Sequence, residues 1–204
     1  MTTLADGIAL YPGRLAPAEQ AALLADVEAV TAAAPLFVPR MPRTGKPFSV
    51  RMTNCGVLGW VSDEAGYRYQ GIHPETGLPW PPIPDRLVAL WRDVGAPAEP
   101  EACLVNLYRE GARLGLHQDA DEETFDAPVV SVSLGDAAVF RIGGTTRRAP
   151  TRSVRLSSGD VVVFGGPSRL VFHGIDRVIP GSSRLVTGGG RINLTLRRVT
   201  KWRA

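Results

Sequence analysis

"PVVSVSLGDAAVFRIGG", residues 128–144, reads as two β-strands, "PVVSVSLG" and "AAVFRIGG", joined through the turn signal at Gly135 and Asp136. The same texture runs through the whole second half of the chain: "CLVNLYR" (103–109), "SVRLSSGDVVVFGG" (153–166), "LVFHGIDRV" (170–178) and "RINLTLRRV" (191–199). Short strands punctuated by Gly, Asp and Ser every 8 to 12 residues or so argue for a sandwich or barrel. Upstream, residues 17–34 are Ala-rich with apolar side chains at helical spacing and a stop at Pro35, which predicts an amphipathic helix. "DRLVALWRDVGA" (85–96) predicts a second helix with Asp85 as its N-cap. Between the helices lie β-like pieces, "FSVRMTNCG" (48–56) and "GYRYQGI" (66–72), then "HPETGLPWPPIP" (73–84), whose prolines exclude helix interior and predict an ordered loop. The expected fold is therefore α+β, mainly β: one domain, 1–204, in which two helices support one face of an antiparallel double-sheet barrel.

Bulk composition fits that picture. The chain has 204 residues, 44% hydrophobic and 21% charged, enough to bury one core. No run approaches the ~18 apolar residues of a membrane helix, and "MTTLADGIALYPGRL" lacks the basic and apolar regions of a leader, so a cytoplasmic protein with no membrane association is expected. The two cysteines, Cys55 and Cys103, form no C-x-x-C pair, which excludes a cysteine zinc site and predicts buried free thiols. Net charge is +3, and all basic residues except Lys46 and Lys201 are arginine. Arginine forks suit phosphate or carboxylate, but such an excess is weak evidence on its own.

Sharper chemistry lies in "LGLHQDADE" (114–122) and in "RLVFHGIDRV", which supplies His173. His117 and Asp119 stand two apart, so an extended backbone turns both to one side, and His173 can join them from another strand. Two imidazoles and a carboxylate suit Fe(II) with open positions for a co-substrate and oxygen; catalytic zinc accepts the same set, and an ordinary polar loop is the bland alternative. "RINLTLR" (191–197) places Arg191, Asn193, Thr195 and Arg197 on one face and Ile192, Leu194 and Leu196 on the other. Enclosed arginines need anions, and a dicarboxylate would provide one for each, whereas a solvated edge strand would need none. Asn106 and Tyr108 add an amide and a hydroxyl on alternate positions, able to bind a carboxylate.

"NLYREGARLGLHQDADE", "APVVSVSLGDAAVFRIGG", "GDVVVFGGPSRLVFHGI" and "RINLTLR", with "MTNCGVLGWVSDEAGYRYQGIHPETGLPWPPIP" upstream, together resemble the AlkB family of Fe(II)- and 2-oxoglutarate-dependent demethylases of alkylated nucleic acid. The resemblance spans about residues 49–198. Phe164 and the Gly-rich "GSSRLVTGGGR" depart from the family pattern. It implies a double-stranded β-helix, or jelly roll, with a substrate lid and loop at about 36–84 and a catalytic barrel at about 102–198. It implies His117, Asp119 and His173 as iron ligands. Arg191, Asn106 and Tyr108 would bind the distal carboxylate of 2-oxoglutarate, and Asn193 and Arg197 its metal-chelating end. Trp60 would stack on the flipped base, Tyr67 and Tyr69 would contact the substrate strand, Asp121 would touch the damaged base, and Arg147 would lie near the nucleotide. Fe(II), 2-oxoglutarate and O2 would be the cofactors; formaldehyde, succinate and CO2 the products. The implied partner is alkylated DNA or RNA, single-stranded or with its base flipped, acted on by a monomer.

Two of these implied roles have an independent physical reason. Methylation at N1 of adenine or N3 of cytosine makes the base cationic, so the Asp121 carboxylate would favour damaged over neutral bases. Stacking on Trp60 would hold whichever base is extruded. Arg40, Arg43, Lys46, Arg51, Arg147 and Arg148 could line a phosphate track. Three rivals stand beside this reading: the same chemistry on RNA, the same chemistry on a non-nucleic substrate, and a barrel that binds nucleic acid without catalysis.

Overall fold

A computed structural model describes residues 1–202; Arg203 and Ala204, the end of the expected domain, lie outside the described residues. Its elements in chain order are β1 (Thr2–Ala5), β2 (Ile8–Tyr11), α1 (Pro17–Ala33), β3 (Arg51–Gly56), β4 (Gly59–Asp63), β5 (Gly66–Gln70), α2 (Asp85–Asp93), β6 (Ala102–Tyr108), β7 (Leu114–His117), β8 (Val129–Gly135), β9 (Ala137–Ile142), β10 (Arg152–Leu156), β11 (Val161–Phe164), β12 (His173–Ile179) and β13 (Arg191–Arg197). Residues 128–144 become β8 and β9, and Gly135, the last residue of β8 with φ 83°, turns the chain through Asp136 from one sheet to the other. A seven-stranded major sheet runs β1-β2-β11-β8-β13-β6-β3, and a four-stranded minor sheet runs β10-β9-β12-β7. Every pairing in both is antiparallel.

Period-two alternation on the central strands creates two cores. From β13 and β6, Ile192, Leu194, Leu196, Cys103, Val105 and Leu107 face outward and pack under Leu23, Val27 and Val30 of α1 and Leu87, Leu90 and Trp91 of α2. Both helices therefore back the major sheet, as the sequence predicts. Leu104, Tyr108, Val129, Phe140, Ile142, Leu156, Phe164 and Ile175 fill the space between the sheets. The polar half of β13 is thus turned into the barrel, not into solvent.

Several local expectations are corrected. Asp85 is the first helical residue, with extended Pro84 as the cap, and α2 stops at Asp93. Proline fits this place because its fixed φ and missing N–H cost nothing at a helix start. The expected lid, 36–84, contains β3, which belongs to the major sheet beside β6. What remains for a lid is the β4–β5 hairpin, a separate two-stranded sheet, with the loops around it. Strands β1, β2 and β4 had no counterpart in the sequence reading. Cys55 and Cys103 are buried and free, and they are cross-strand partners on β3 and β6.

Candidate active site

Strand pairing builds the centre of the barrel. β12 pairs with β7 so that His173 stands opposite His117, with ring centroids 4.5 Å apart. Asp119 follows β7 in extended backbone and turns inward. Its Oδ1 lies 3.8 Å from His117 Nε2 and its Oδ2 lies 3.8 Å from His173 Nε2. One candidate ligand atom from each of the three lies within 4.8 Å of the others. Each imidazole is oriented by its second nitrogen: His117 Nδ1 lies 2.8 Å from the Gly115 carbonyl and His173 Nδ1 lies 3.1 Å from that of Val171. A carbonyl only accepts, so both Nδ1 atoms carry the proton and both Nε2 lone pairs turn toward Asp119. Phe164 stacks on the His173 ring at 5.0 Å, which supplies the ring packing at that departure from the family pattern.

Electrostatics keep Asp119 and His173 in ligand form. Burial alone would raise the Asp119 carboxyl, but the Arg197 guanidinium and both imidazoles hold it well below the ordinary carboxylate range. Burial, reinforced by His117, lowers His173 to about 4 against the pull of Asp119. A deprotonated carboxylate beside a neutral imidazole is the protonation state a divalent metal needs. The third histidine is structural: buried His73 places Nε2 2.7 Å from the Pro35 carbonyl and accepts the backbone N–H of Glu75 and Thr76 on Nδ1.

Beside the triad a cavity of about 470 Å³, mouth included, is lined by Asn106, Tyr108, Arg191, Asn193 and Arg197. Arg191 is 1% exposed. Its Nη2 donates to Ser133 Oγ at 3.0 Å and its guanidinium lies 5.4 Å from the Tyr108 ring centroid, while Nε and Nη1 have no partner within the protein. Asn106 Oδ1 and Arg197 Nη1 are buried and unpartnered as well. A carboxylate is the group that satisfies a buried guanidinium with unpartnered N–H bonds, so Arg191 and Arg197 fit the diacid and the triad fits Fe(II), whereas Asn106 Oδ1 is an acceptor and is not among those donors. Burial pushes Tyr108 up to about 12, so its hydroxyl stays a donor. Asn193 departs from expectation: its Nδ2 donates to Ser131 Oγ and the Val132 carbonyl, and its Oδ1 accepts from Thr195 Oγ1. Its amide is spent on the strands and shapes the wall. The Gly-rich approach to Arg191 also has a reason, because Gly190 has φ +97° and a Cβ there would meet the Tyr108 carbonyl at 2.5 Å.

Two residues that sequence reasoning gave no role sit behind the metal face. Glu122 and Arg169 are buried, and with Asp119 and Arg197 they form a charge-balanced cluster. Arg197 Nη2 lies 2.8 Å from Asp119 Oδ2 and its Nε lies 3.2 Å from Glu122 Oε1, while Arg169 Nη2 lies 3.4 Å from Glu122 Oε2. Arg169 Nη1 also donates to the Asp119 carbonyl at 2.8 Å. Tyr69, expected at the substrate strand, instead turns inward and donates its hydroxyl to Glu122 at 2.7 Å. The signal available in the sequence was Glu122 itself, an acid three residues beyond Asp119.

At the mouth, Trp60 Nε1 donates to Asp121 Oδ2 at 2.7 Å. Tyr67, half exposed, stacks on the indole at 5.6 Å with 18° between planes. Trp60, Tyr67 and Asp121 are thus gathered at one rim, two residues beyond Asp119. Arg147 is exposed above Phe172 and reaches toward the Leu116 carbonyl at 3.4 Å, also on that rim.

Comparison with known proteins agrees with this geometry. The family model of the 2OG-Fe(II) oxygenase superfamily matches residues 7–197. An alpha-ketoglutarate-dependent dioxygenase AlkB homolog of Caulobacter vibrioides is 57% identical over 197 residues, 96% of this chain and 89% of that protein. The DNA N(6)-methyladenine demethylase ALKBH1D of Arabidopsis thaliana is 46% identical over 110 residues, 48% of this chain and 24% of that protein. The solved structure of OsALKBH1 superposes with a TM-score of 0.85 at 31% identity, covering 97% of this chain and 99% of that one.

Proposed function

This chain belongs to the 2OG-Fe(II) oxygenase superfamily, and from that premise we propose that it demethylates N-alkylated bases of DNA, of the 1-methyladenine and 3-methylcytosine type. The observation that carries the substrate class is the rim. An aromatic platform, Trp60 with Tyr67, is fixed to a carboxylate, Asp121, just outside the triad. A flat apolar surface paired with one negative charge suits a flat cation, which is what N-methylation makes of adenine or cytosine.

Bound Fe(II), with 2-oxoglutarate and O2, would supply the oxidation that turns an N-methyl group into a hydroxymethyl group, released as formaldehyde alongside succinate and CO2. The chain's own residues do the remaining work. His117, Asp119 and His173 would hold the metal, their lone pairs aimed by the Gly115 and Val171 carbonyls and by Arg197. Arg191 would take the distal carboxylate through its unpartnered Nη1, with Tyr108 and Asn106 beside it, and Arg197 would offer its unpartnered Nη1 to the chelated end. Thr195 keeps Asn193 turned to the wall, so the cavity is polar on the β13 side and apolar on the Leu114, Phe140 and Ile175 side. Trp60 would stack on an extruded base, because a methyl group inside a stacked duplex cannot reach the centre. Asp121 would both orient the indole and attract the cationic ring.

The reading also places the protein in the cytoplasm as a monomer acting on single-stranded or base-flipped DNA. No helix among the described residues is long and apolar enough to cross a membrane. The test is mass spectrometry of a 3-methylcytosine oligodeoxynucleotide incubated with protein, Fe(II) and 2-oxoglutarate. Restoration of cytosine by the wild type and not by His173→Ala is expected. Succinate release with the methyl group left in place would refute the substrate.

A further inference from the structure

The outer face of the minor sheet carries charge that the site at its rim does not use. On β9, β10 and β12 the apolar side chains Phe140, Ile142, Leu156 and Ile175 fill the barrel, so alternate positions point the other way. Those outward positions include Val139 and Arg141 on β9, Ser153 and Arg155 on β10, and Arg177 on β12. Register sets them in rows: Arg155 and Arg177 both pair with Val139, and Arg141 lies between Ser153 and Gly174. Arg155 and Arg177 therefore flank one strand, their Cα atoms about 10 Å apart at two strand spacings. Both helices pack on the other sheet, so this face is open; Arg152, Arg155 and Arg177 are all exposed.

The arginines of this face are close together and mostly without acids. Elsewhere Arg14 pairs with Asp93, Arg68 with Asp63, Arg86 with Asp26, Arg92 with Glu99 and Arg198 with Glu101, while Arg40, Arg43, Arg51, Arg109, Arg113 and Arg184 are exposed and make no ion pair among the described residues. On this face Arg141 alone has one, Asp176 at 3.3 Å. Among the described residues, Arg148, Arg152, Arg155 and Arg177 make no ion pair and no side-chain hydrogen bond. Residues 137–155 hold five arginines (141, 147, 148, 152 and 155) and no acid, and Arg177 cancels Asp176 on β12. Arg152 pairs with inward-facing Ile142, so the outward face itself carries Arg141, Arg155 and Arg177 against Asp176, and Arg147 and Arg148 in the β9–β10 connection extend the basic run. Like charges gathered on one sheet face repel one another, so folding by itself does not call for them.

The geometry points to a phosphate-binding face: the outer surface of β12, β9 and β10 holds the nucleic-acid backbone that flanks the base at the rim. The partner is a strand and not a single anion, because the guanidiniums are spread along an open sheet with no concave pocket. Continuity with the rim comes from Arg147, which leads from the Leu116 carbonyl beside His117 into the Arg148–Arg155 run. The inference rests on the nucleic-acid reading above and extends its footprint from one nucleotide to a flanking segment.

Binding of a labelled single-stranded 20-mer with one 3-methylcytosine is measured from low to moderate salt for wild type, Arg155→Ala/Arg177→Ala and Arg155→Lys/Arg177→Lys. Each lost phosphate contact removes ~0.7 from the slope of log affinity against log salt, so the alanine pair should lower the slope by about 1.4 and the lysine pair should keep it. Turnover of a methylated trinucleotide, too short to leave the rim, should be unchanged by either pair. An unchanged 20-mer slope in the alanine pair overturns the proposal, as does an equal loss of trinucleotide turnover. Failure of the wild type to demethylate the trinucleotide would instead refute the function proposed above, so the two readings fail separately.

Discussion

Replacing Arg191 by methionine should move stability and co-substrate affinity in opposite directions. The guanidinium is buried, donates once to Ser133 and leaves Nε and Nη1 unpartnered. A buried cation without its anion destabilises the fold, and an unbranched apolar side chain of similar length removes that penalty while filling the space. Against this stand the Ser133 bond and the contact with the Tyr108 ring, together worth ~1–3 kcal/mol. The co-substrate-free variant should therefore unfold within ~1 kcal/mol of the wild type, or later. Affinity tells the other half. Two hydrogen bonds to a carboxylate contribute ~1.5 kcal/mol or more each, so 2-oxoglutarate should bind at least ~100-fold more weakly. In the wild type, 2-oxoglutarate at about 100 times its Kd adds ~2.7 kcal/mol, or roughly 5–10 °C of Tm for a chain of this size. The assay is thermal unfolding without oxygen, in Fe(II), with and without 2-oxoglutarate. The variant should keep its own Tm and lose the ligand-induced rise. A drop of the ligand-free protein by ~3–5 kcal/mol, as when a satisfied buried pair is broken, would show that Arg191 is already paid for within the fold and would refute the reasoning.

Three further outcomes follow from the same geometry. Glu122→Gln keeps the hydrogen bond from Tyr69 but leaves Arg169 with no carboxylate and Arg197 with Asp119 alone, so denaturant unfolding should show a loss of ~3 kcal/mol; a loss under 1 kcal/mol would mean the cluster is not coupled. Asp121→Asn preserves an acceptor for the Trp60 indole and removes the charge, so kcat/KM should fall for cationic 1-methyladenine while 2-oxoglutarate consumption without nucleic acid stays level; equal kcat/KM in both proteins would remove the carboxylate's role in selection. Removing metal with a chelator should leave a cooperative unfolding transition, because Asp119 is compensated by Arg197 as well as by the two imidazoles; loss of near-ultraviolet circular dichroism on chelation would contradict this.

What the sequence made legible is whatever period and spacing encode. The β13 alternation, read residue by residue, separated the helix-facing Ile192, Leu194 and Leu196 from the barrel-facing Arg191 and Arg197, and the structure keeps that division. His117 and Asp119 at i and i+2 needed only extended backbone to share a side. Pairing was illegible: that His173 stands opposite His117, or that Cys55 faces Cys103, depends on register between strands far apart in the chain. Strands β1 and β2, four residues each, are too short to show a period, and they exist because β11 offers β2 an edge. Tyr69 misled for a related reason. It shares a face of the hairpin with Tyr67, and alternation cannot say which of two equivalent positions lies over protein and which over solvent.

The arrangement of charge ties these observations together. Asp119 meets both the metal face and the buried cluster, through His117 and His173 on one side and Arg197 and Arg169 on the other. Glu122 holds both of those arginines, and Tyr69 joins Glu122 to the hairpin that carries Trp60. A displacement of that hairpin must therefore either break the Tyr69 bond, leaving a buried carboxylate one donor short, or carry Glu122 with it and disturb Arg197 beside the diacid cavity. Burying four charges is unfavourable unless every partner stays in place. The same requirement that makes the cluster costly makes the position of the substrate platform and the orientation of the metal ligand a single mechanical unit.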